Sequence, residues 1–182
     1  MSSPFQPQHL DVAAFARAKA RLSAHDLLQE YERLALEVRA PEPDLTLEWQ
    51  VQGEQRSAAD GVARPALHVQ ASARLPLTCQ RCMGELRVDV QVDRHVLFAA
   101  DEDSAAALDD VSEDDVLALT PDLDLHALIE DELLMALPLV PRHEVCPQPV
   151  RLSTQDAEFE AAQEDKQHPF AALAVLKGGK KH

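Results

Sequence analysis

Apolar and polar positions alternate along three consecutive stretches of this chain, residues 45–51, 67–77 and 86–92. A period of two places successive side chains on opposite faces, so each stretch predicts a β-strand with one buried and one solvent-exposed face. Turn signals separate the stretches, at Gly53, Asp60-Gly61 and Met83-Gly84. Strands in series with short connections favour an antiparallel meander.

Two short helices are predicted before these strands. Over residues 10–22, Val12, Phe15 and Ala16 fall on one side of an amphipathic helix. Ser23 followed by Asp26 resembles the N-terminal cap of a second helix over residues 24–33.

After the strands, residues 100–114 are rich in Ala, Asp, Glu and Ser without periodicity, which predicts a mobile loop, and residues 115–120 are compatible with one more strand. A helix then begins at Asp122 or Asp124 and ends at Leu137, because Pro138 forbids its continuation. Helical spacing predicts that Leu125, Leu128, Ile129, Leu133 and Ala136 are buried, and that Glu130, Asp131 and Glu132 face solvent.

These elements together predict an α+β fold, in which an antiparallel β-meander or partly open barrel is flanked by a few helices. We expect a single domain over residues 1–149, with N-terminal helices at 10–33, the sheet at 45–99 and a helix at 122–137. The flexible acidic loop lies between the sheet and that last helix. Residues 150–182 are expected to form a loose tail with a short apolar segment at 169–177.

The net charge of the chain limits the functional classes to which the protein can belong. The chain carries 32 Asp and Glu against 17 Lys and Arg, for a formal net charge of −15. This excludes a uniformly basic nucleic-acid-binding protein, because Lys and Arg drive binding to phosphates. Residues 95–141 hold 13 of the acids and no Lys or Arg. The stretch is either a solvated acidic surface or a binding surface for a basic partner, such as a basic ribosomal protein.

Arginines recur in the segment before this acidic stretch, six of them between residues 56 and 94. A locally basic sheet face there would offer a contact for RNA. The candidate partner-binding residues from both segments are Asp109, Asp110, Glu113, Asp114, Asp115, Arg81 and Arg87.

No stretch approaches the ~20 apolar residues of a membrane span. Residues 1–25 lack an apolar block followed by a small-residue cleavage site, so we expect a cytoplasmic protein. Three cysteines are few for a secreted disulfide framework and fit a metal site or free thiols better.

The cysteines suggest a metal site. Cys79 and Cys82 lie between two predicted strands, and His143 and Cys146 form a second pair with the same separation. Two such pairs make a Cys₃His set that suits a closed, structural zinc ion. Two alternatives stay open: reduced thiols unrelated to the second pair, and a redox dithiol of Cys79 and Cys82. The redox alternative lacks the helix N-terminus that lowers a thiol pKa.

Other catalytic signatures are missing from the sequence. The five glycines form no phosphate-binding loop, and neither Gly-x-Ser-x-Gly nor His-Glu-x-x-His occurs. Glu130 and Glu132 lie two residues apart on a predicted helix and point away from each other, so we interpret them as surface acids. His68, His95 and His126 have no evident partner, and we expect solvent-facing or structural roles for them. We therefore predict a protein without enzymatic activity or a small-molecule substrate.

Four segments in fixed order carry a resemblance to a known family. They read LTCQRC at 77–82, DL at 124–125 leading into IEDELLMALP at 129–138, VPRH at 140–143 with Cys146, and PFAALAVLK at 169–177. Over about residues 10–177 the chain resembles the YceD family, the large ribosomal RNA subunit accumulation proteins of bacteria and plastids. The resemblance implies a cytosolic protein needed for synthesis, processing or stability of 23S rRNA, without established catalytic residues.

These observations leave three candidate functions for the protein. The first is a non-catalytic factor in large ribosomal subunit biogenesis, which binds the subunit precursor through a basic ribosomal protein or rRNA. The second is a zinc-stabilised adaptor for another basic protein, and the third is a thiol redox protein that uses Cys79 and Cys82. A structural zinc ion is the one candidate cofactor, and no membrane partner is expected.

Overall fold

The computed structural model describes residues 4–40, 42–58 and 60–148. The chain divides after Cys146, and every helix and strand given below belongs to the unit Met1–Cys146. The tail predicted at 150–182, with its apolar segment at 169–177, lies outside the described residues, and the domain boundary at residue 149 stays a prediction.

Five strands form one open sheet in chain order. Their bounds are β1 Arg21–Leu27, β2 Thr46–Ser57, β3 Ala63–Thr78, β4 Glu85–Ala99 and β5 Asp115–Ala118. The first four strands pair antiparallel, whereas β5 joins β4 in parallel. The predicted meander and the further strand after residue 115 are therefore present, and the α+β fold class is confirmed with a mixed, unclosed sheet.

Within the described residues four helices flank the sheet: α1 Val12–Ala18, α2 Glu32–Glu37, α3 Glu102–Asp109 and α4 Leu125–Met135. A short 3₁₀ turn at Leu28–Glu30 precedes α2. Residues of α1, α2 and α4 share the main core with the inward-facing positions of β2, β3 and β4. A second, smaller core lies on the opposite face, where Ala105 and Leu108 of α3 pack against Ala66, Leu97 and Val116. None of these helices is both long enough and apolar enough to cross a bilayer.

Helix α1 packs directly on the backbone of β2. A Cβ atom added at Gly53 would lie 2.6 Å from the carbonyl oxygen of Phe15, so no side chain fits there without displacing the helix. The Gly53 amide donates to the carbonyl of Ala20 at 2.9 Å, which fixes the chain leaving α1 beside the strand. Glycine is required here by close approach of two backbones.

The helix predicted over residues 24–33 is wrong. The segment begins with β1, paired with β2 from Arg21↔Gln52 to Leu27↔Thr46, and the helix starts only at Glu32. Asp26 is not a cap, because its carboxylate accepts hydrogen bonds from the Tyr31 hydroxyl at 2.8 Å and the Trp49 indole N–H at 2.5 Å. Burial and the Asp26 carboxylate raise the pKa of Tyr31, so its hydroxyl stays a donor.

The irregular loop predicted over residues 100–114 is also wrong, because half of it is helix α3. The Asp101 side chain caps this helix by accepting a hydrogen bond from the Ser104 amide at 2.8 Å. Only Ala105 and Leu108 of this helix are buried, three residues apart. Two apolar side chains are therefore sufficient to pack the helix against the second core.

Helix α4 begins where it was predicted, with Asp124 accepting hydrogen bonds from the amides of His126 and Ala127. However, its acids do not all face solvent. Glu130 is 7% exposed and Glu132 is 5% exposed, which corrects the interpretation of both as surface residues. The helix contacts α2 on one side and β4 on another, so two of its polar positions are covered.

Glu130 links α4 to the start of α2. Its carboxylate accepts hydrogen bonds from the Arg33 amide at 2.8 Å, the Leu34 amide at 3.1 Å and the Arg33 Nε at 2.7 Å. The first-turn amides of a helix have no partner within the helix. A side chain 97 residues away therefore caps α2, and the negative charge also suits the positive end of the helix dipole.

Replacing Glu130 with Ala should lower the free energy of unfolding by about 1.5–3 kcal/mol, the range for hydrogen bonds to a charged group. Urea unfolding measures the change. Asp131→Ala is the matched control, because Asp131 also contacts Arg33 but its side chain is 53% exposed, and such pairs contribute only ~0–1 kcal/mol. Equal losses in the two variants would contradict the capping role.

Removal of the Glu132 charge should stabilise the protein, whereas removal of the Glu130 charge should destabilise it. Burial raises its pKa, with the nearby Asp115 adding to the effect and Arg94 opposing it from 3.9 Å. A raised folded-state pKa means that stability is lost as pH rises through the titration of this group. Glu132→Gln should therefore gain stability relative to the parent between acidic and neutral pH, as measured by unfolding at each pH. A difference that does not change with pH would contradict this.

Candidate metal centre and acidic surface

The turn between β3 and β4 presents the first two cysteines. Cys79 follows the last residue of β3, its amide donates to the Gly84 carbonyl at 2.8 Å, and its carbonyl accepts from the Met83 amide at 2.8 Å. Met83 takes the left-handed conformation, with φ of 58°. A Cβ atom at Gly84 would lie 3.3 Å from the Cys82 sulfur, so the glycine lets the turn close against that side chain.

The segment after α4 crosses back to this turn and brings the second pair. The Gln80 amide donates to the Pro141 carbonyl at 2.8 Å. Arg81 donates through one terminal nitrogen to the carbonyls of His143 at 2.7 Å and Glu144 at 3.0 Å. These hydrogen bonds to backbone carbonyls position the segment 141–146 without depending on the cysteine side chains.

The four residues predicted from their spacing lie together. The ligating atoms of Cys79, Cys82, His143 and Cys146 are all within 4.8 Å of one another. Cys82 Sγ and His143 Nδ1 are 3.5 Å apart. Cys79 is buried and the other three are half-buried. Three sulfurs and one imidazole nitrogen around one point form the donor set of structural zinc sites.

Burial and hydrogen bonding shift the pKa values of the first two cysteines in opposite directions. Burial opposes ionisation of Cys79, but the amides of His143, Cys82 and Arg81 donate to its sulfur and lower its pKa. The Gly84 amide favours the Cys82 thiolate, whereas burial and the sulfurs of Cys146 and Cys79 outweigh it and raise the pKa of Cys82. A divalent cation among the sulfurs would relieve this repulsion.

Arg81 has a second role that the sequence did not reveal. Its Nε donates to Cys146 Sγ at 3.1 Å while a terminal nitrogen donates to the His143 carbonyl, so one guanidinium contacts both the sulfur and the backbone of the second pair. The proximity of Cys146 raises the pKa of Arg81 further. Arg81, predicted as a partner-binding residue, is therefore occupied within the metal centre.

The pair Cys79 and Cys82 lies in a strand–strand turn and not at a helix N-terminus. The structure therefore provides no helix dipole to activate either thiol for redox exchange.

Most of the other predicted partner-binding residues are engaged inside the protein. Asp114 pairs with Arg56 at 2.8 Å, Asp115 approaches Arg94 at 3.4 Å, and Asp109 accepts a hydrogen bond from the Val116 amide at 3.1 Å. Arg87 pairs with Glu42 at 2.7 Å and Glu85 at 3.2 Å. Asp110 and Glu113 differ: both are exposed, and neither has a side-chain hydrogen bond or ion pair with another described residue.

Two further acids resemble Asp110 and Glu113 in this respect. Glu102 and Asp103, in the first turn of α3, are exposed and unpaired within the described part of the chain. We define the acidic surface as Glu102, Asp103, Asp110 and Glu113. Because α3 packs on the second core, Glu102 and Asp103 project from a helix fixed to the sheet, and Asp110 and Glu113 follow that helix in the chain.

The view of His68 and His95 as residues without partners is wrong. They are directly opposite each other on β3 and β4, with ring centroids 4.3 Å apart and planes at 9°. Glu54 of β2 lies beside both. Strand register could have revealed the pair, but period-two alternation alone does not fix register. His126 packs near Tyr31 and Trp49, which is a structural role.

Comparison with known proteins adds a family. The sequence model of the family described as "Large ribosomal RNA subunit accumulation protein YceD" matches residues 67–177. A Haemophilus influenzae protein named "Large ribosomal RNA subunit accumulation protein YceD" is 35% identical over 106 residues, which are 56% of this chain. The chain spans 59% of that relative's length. No solved structure matches the chain.

Proposed function

The chain belongs to the YceD family of large ribosomal RNA subunit accumulation proteins, and from this premise we propose that it acts by binding, without catalysis, during large ribosomal subunit biogenesis. Its role would be to support synthesis, processing or stability of 23S rRNA. The observation that carries this proposal is the family match over 67–177, which spans the cysteine turn, the acidic surface, α4 and the returning segment.

The distribution of paired and unpaired charges favours a basic protein over RNA as the direct partner. The arginines of the sheet segment are each matched by a neighbouring carboxylate or by carbonyls. The pairs are Arg56–Asp114, Arg64–Asp60, Arg74–Asp89, Arg87–Glu42 and Arg94–Asp115, and Arg81 contacts the carbonyls of His143 and Glu144. An arginine already paired in this way contributes little to phosphate binding, because its charge is neutralised locally.

The acidic surface has the complementary property. Its four carboxylates are exposed and have no cationic partner among the described residues. A cationic partner gains their attraction without first breaking an internal ion pair, and complementary fields also speed encounter. A basic ribosomal protein or a basic segment of the precursor particle meets this requirement.

We further propose that the Cys₃His cluster binds one structural zinc ion. The ion would tie the β3–β4 turn to the segment after α4. Such a bond closes a loop of about 60 residues between Cys82 and His143, so binding free energy becomes folding free energy. In this proposal zinc makes the fold a stable adaptor and has no part in a reaction.

Cells without this protein should contain less 23S rRNA relative to 16S rRNA, and a plasmid copy should restore the ratio. Quantification of both rRNAs and of the subunit profile measures this. An unchanged ratio in the deletion strain, with normal amounts of large subunits, would rule out the proposed role.

Amide substitution of the acidic surface should weaken partner binding. The variant Glu102→Gln, Asp103→Asn, Asp110→Asn, Glu113→Gln should capture about tenfold less large-subunit precursor. Four exposed pairs at roughly 0.2–1 kcal/mol each reach the ~1.4 kcal/mol of a tenfold change. Capture by the tagged full-length protein, with or without nuclease and at increasing salt, measures the effect.

The matched control removes the same charge elsewhere, through amide substitution of the exposed acids Glu30, Glu32, Glu37 and Asp44. It should capture as the parent does. Equal capture by both variants would mean that the acids only solubilise the protein. Capture that nuclease abolishes would instead favour RNA as the direct partner.

Protein purified without chelator should contain about one zinc per chain if the Cys₃His cluster binds it. Cys79→Ser and Cys146→Ser should both lose the metal, and removing it should destabilise the protein by up to about 4 kcal/mol when free zinc is 1,000-fold above the dissociation constant. Elemental analysis and thermal unfolding provide the two measurements. His9→Gln, an exposed histidine at a distance in sequence, should keep the metal. A parent protein free of zinc contradicts the site.

A further inference from the structure

Three adjacent strands bring a second set of metal-binding side chains together on the polar face of the sheet. Glu54 of β2, His68 of β3 and His95 of β4 offer ligating atoms that all lie within 4.8 Å of one another. We propose that these three residues bind one divalent transition-metal ion of the zinc type, independently of the Cys₃His cluster. The proposal uses none of the residues on which the proposed function depends.

The distances are close to those that a metal requires. Glu54 Oε1 lies 4.0 Å from His68 Nδ1 and 3.7 Å from His95 Nε2. Ligands bonded to tetrahedral zinc at about 2.0–2.1 Å are roughly 3.4 Å from each other. The two distances from Glu54 to the imidazoles must therefore shorten by about 0.6 and 0.3 Å. The three side chains are between 25% and 29% exposed, so they have room to do so.

One of the two imidazoles must also change orientation. The rings are stacked nearly parallel, at 9°, whereas the lone pairs of two ligating rings have to converge on one ion. The change is a rotation about the bond between Cβ and the ring, a torsion with a broad and shallow energy profile. The backbone need not move, because directly opposite residues on antiparallel strands have Cβ atoms only about 4.5–5.5 Å apart.

Asp93 orients the His68 ring for metal binding. Its Oδ1 is 2.6 Å from His68 Nε2, and its Oδ2 accepts a hydrogen bond from Gln70 Nε2 at 2.9 Å. An ionised carboxylate only accepts hydrogen bonds, so the proton of neutral His68 is on Nε2 and the lone pair is on Nδ1, toward Glu54. A carboxylate behind a histidine ligand is the usual support of protein metal sites. Asp93 is thus a positioning residue.

Two histidines and one carboxylate leave the fourth coordination position open. Three-residue sites of this kind hold a water or a ligand in that position. The neighbouring surface is a shallow groove of about 800 Å³, lined by polar side chains that include Gln50, Gln70 and Asp93. With fewer ligands and more solvent than the Cys₃His cluster, the site should bind its ion more weakly and exchange it.

Untagged, full-length protein is first stripped of metal by a chelator. It is then titrated with zinc alone, and binding is followed by calorimetry. We expect two equivalents in the parent. His68→Gln and His95→Gln should each remove the weaker equivalent, and Cys79→Ser should remove only the tighter one. His25→Gln is the matched control, because His25 lies opposite Glu48 on β2 and pairs with that residue at 2.5 Å instead of with the three proposed ligands.

Cobalt titration distinguishes the sites spectroscopically. Only thiolate ligands give an intense charge-transfer band, so the second equivalent of cobalt should add none. Asp93→Asn should weaken the second equivalent about 10–100-fold, as loss of a supporting carboxylate does, without changing the thermal stability of the metal-free protein. Asp89→Asn, an exposed acid on the same strand, should leave it unchanged.

The outcomes separate this proposal from the zinc site proposed above. A parent that binds one equivalent, lost in Cys79→Ser, overturns the second site. A second equivalent that persists in both histidine variants also overturns it. A single equivalent that is lost in His95→Gln but kept in Cys79→Ser supports the second site, and the Cys₃His proposal alone then fails.

Discussion

The long antiparallel pairing of β3 with β4 positions most of the chemistry in this protein. It begins at Thr78↔Glu85, beside the cysteine turn, and extends to Ala66↔Leu97 under α3. A shift of one residue would exchange the two faces of a strand. Such a shift would separate His68 from His95 and turn core positions such as Val69 toward solvent. The apolar positions of both strands therefore also fix the geometry of the polar face.

Several acids of the central acidic stretch have partners inside the protein, so the density of acids in the sequence is a poor guide to which of them are unpaired at the surface. Glu130 is used to cap α2, and Glu132 is enclosed beside Arg94. Asp114 and Asp115 are matched by arginines of the sheet. Among the acids of residues 95–141, those exposed and unpaired within the described chain are Glu102, Asp103, Asp110 and Glu113, a set that depends on the fold and not on the local density of acids in the sequence.

The sequence was sufficient for features that depend on local periodicity or spacing. Alternation predicted β2, β3 and β4, and the Cys-x-x-Cys and His-x-x-Cys spacing predicted which four side chains meet. Helix α3 was missed because two buried residues, Ala105 and Leu108, make no visible stripe. Strand β1 was missed because Asp26 resembles a cap, whereas its hydrogen bonds go to Tyr31 and Trp49. Burial of Glu130 and pairing of His68 with His95 depend on tertiary register, which no local pattern contains.

The Cys₃His cluster and the acidic surface lie at opposite ends of β4. That strand runs for 15 residues, from Glu85 beside the cysteine turn to Ala99 before α3, so about 45 Å of strand separates them at 3.3 Å per residue. A metal ion at the turn, as proposed above, would therefore make no contact with the acidic surface, and the sheet is the structural link between the two. The stacked histidines are different: His95 is four residues from Ala99, on the part of β4 nearest to α3. An ion held there by Glu54, His68 and His95, as proposed, would therefore lie nearer to α3 along β4 than one held by the cysteines.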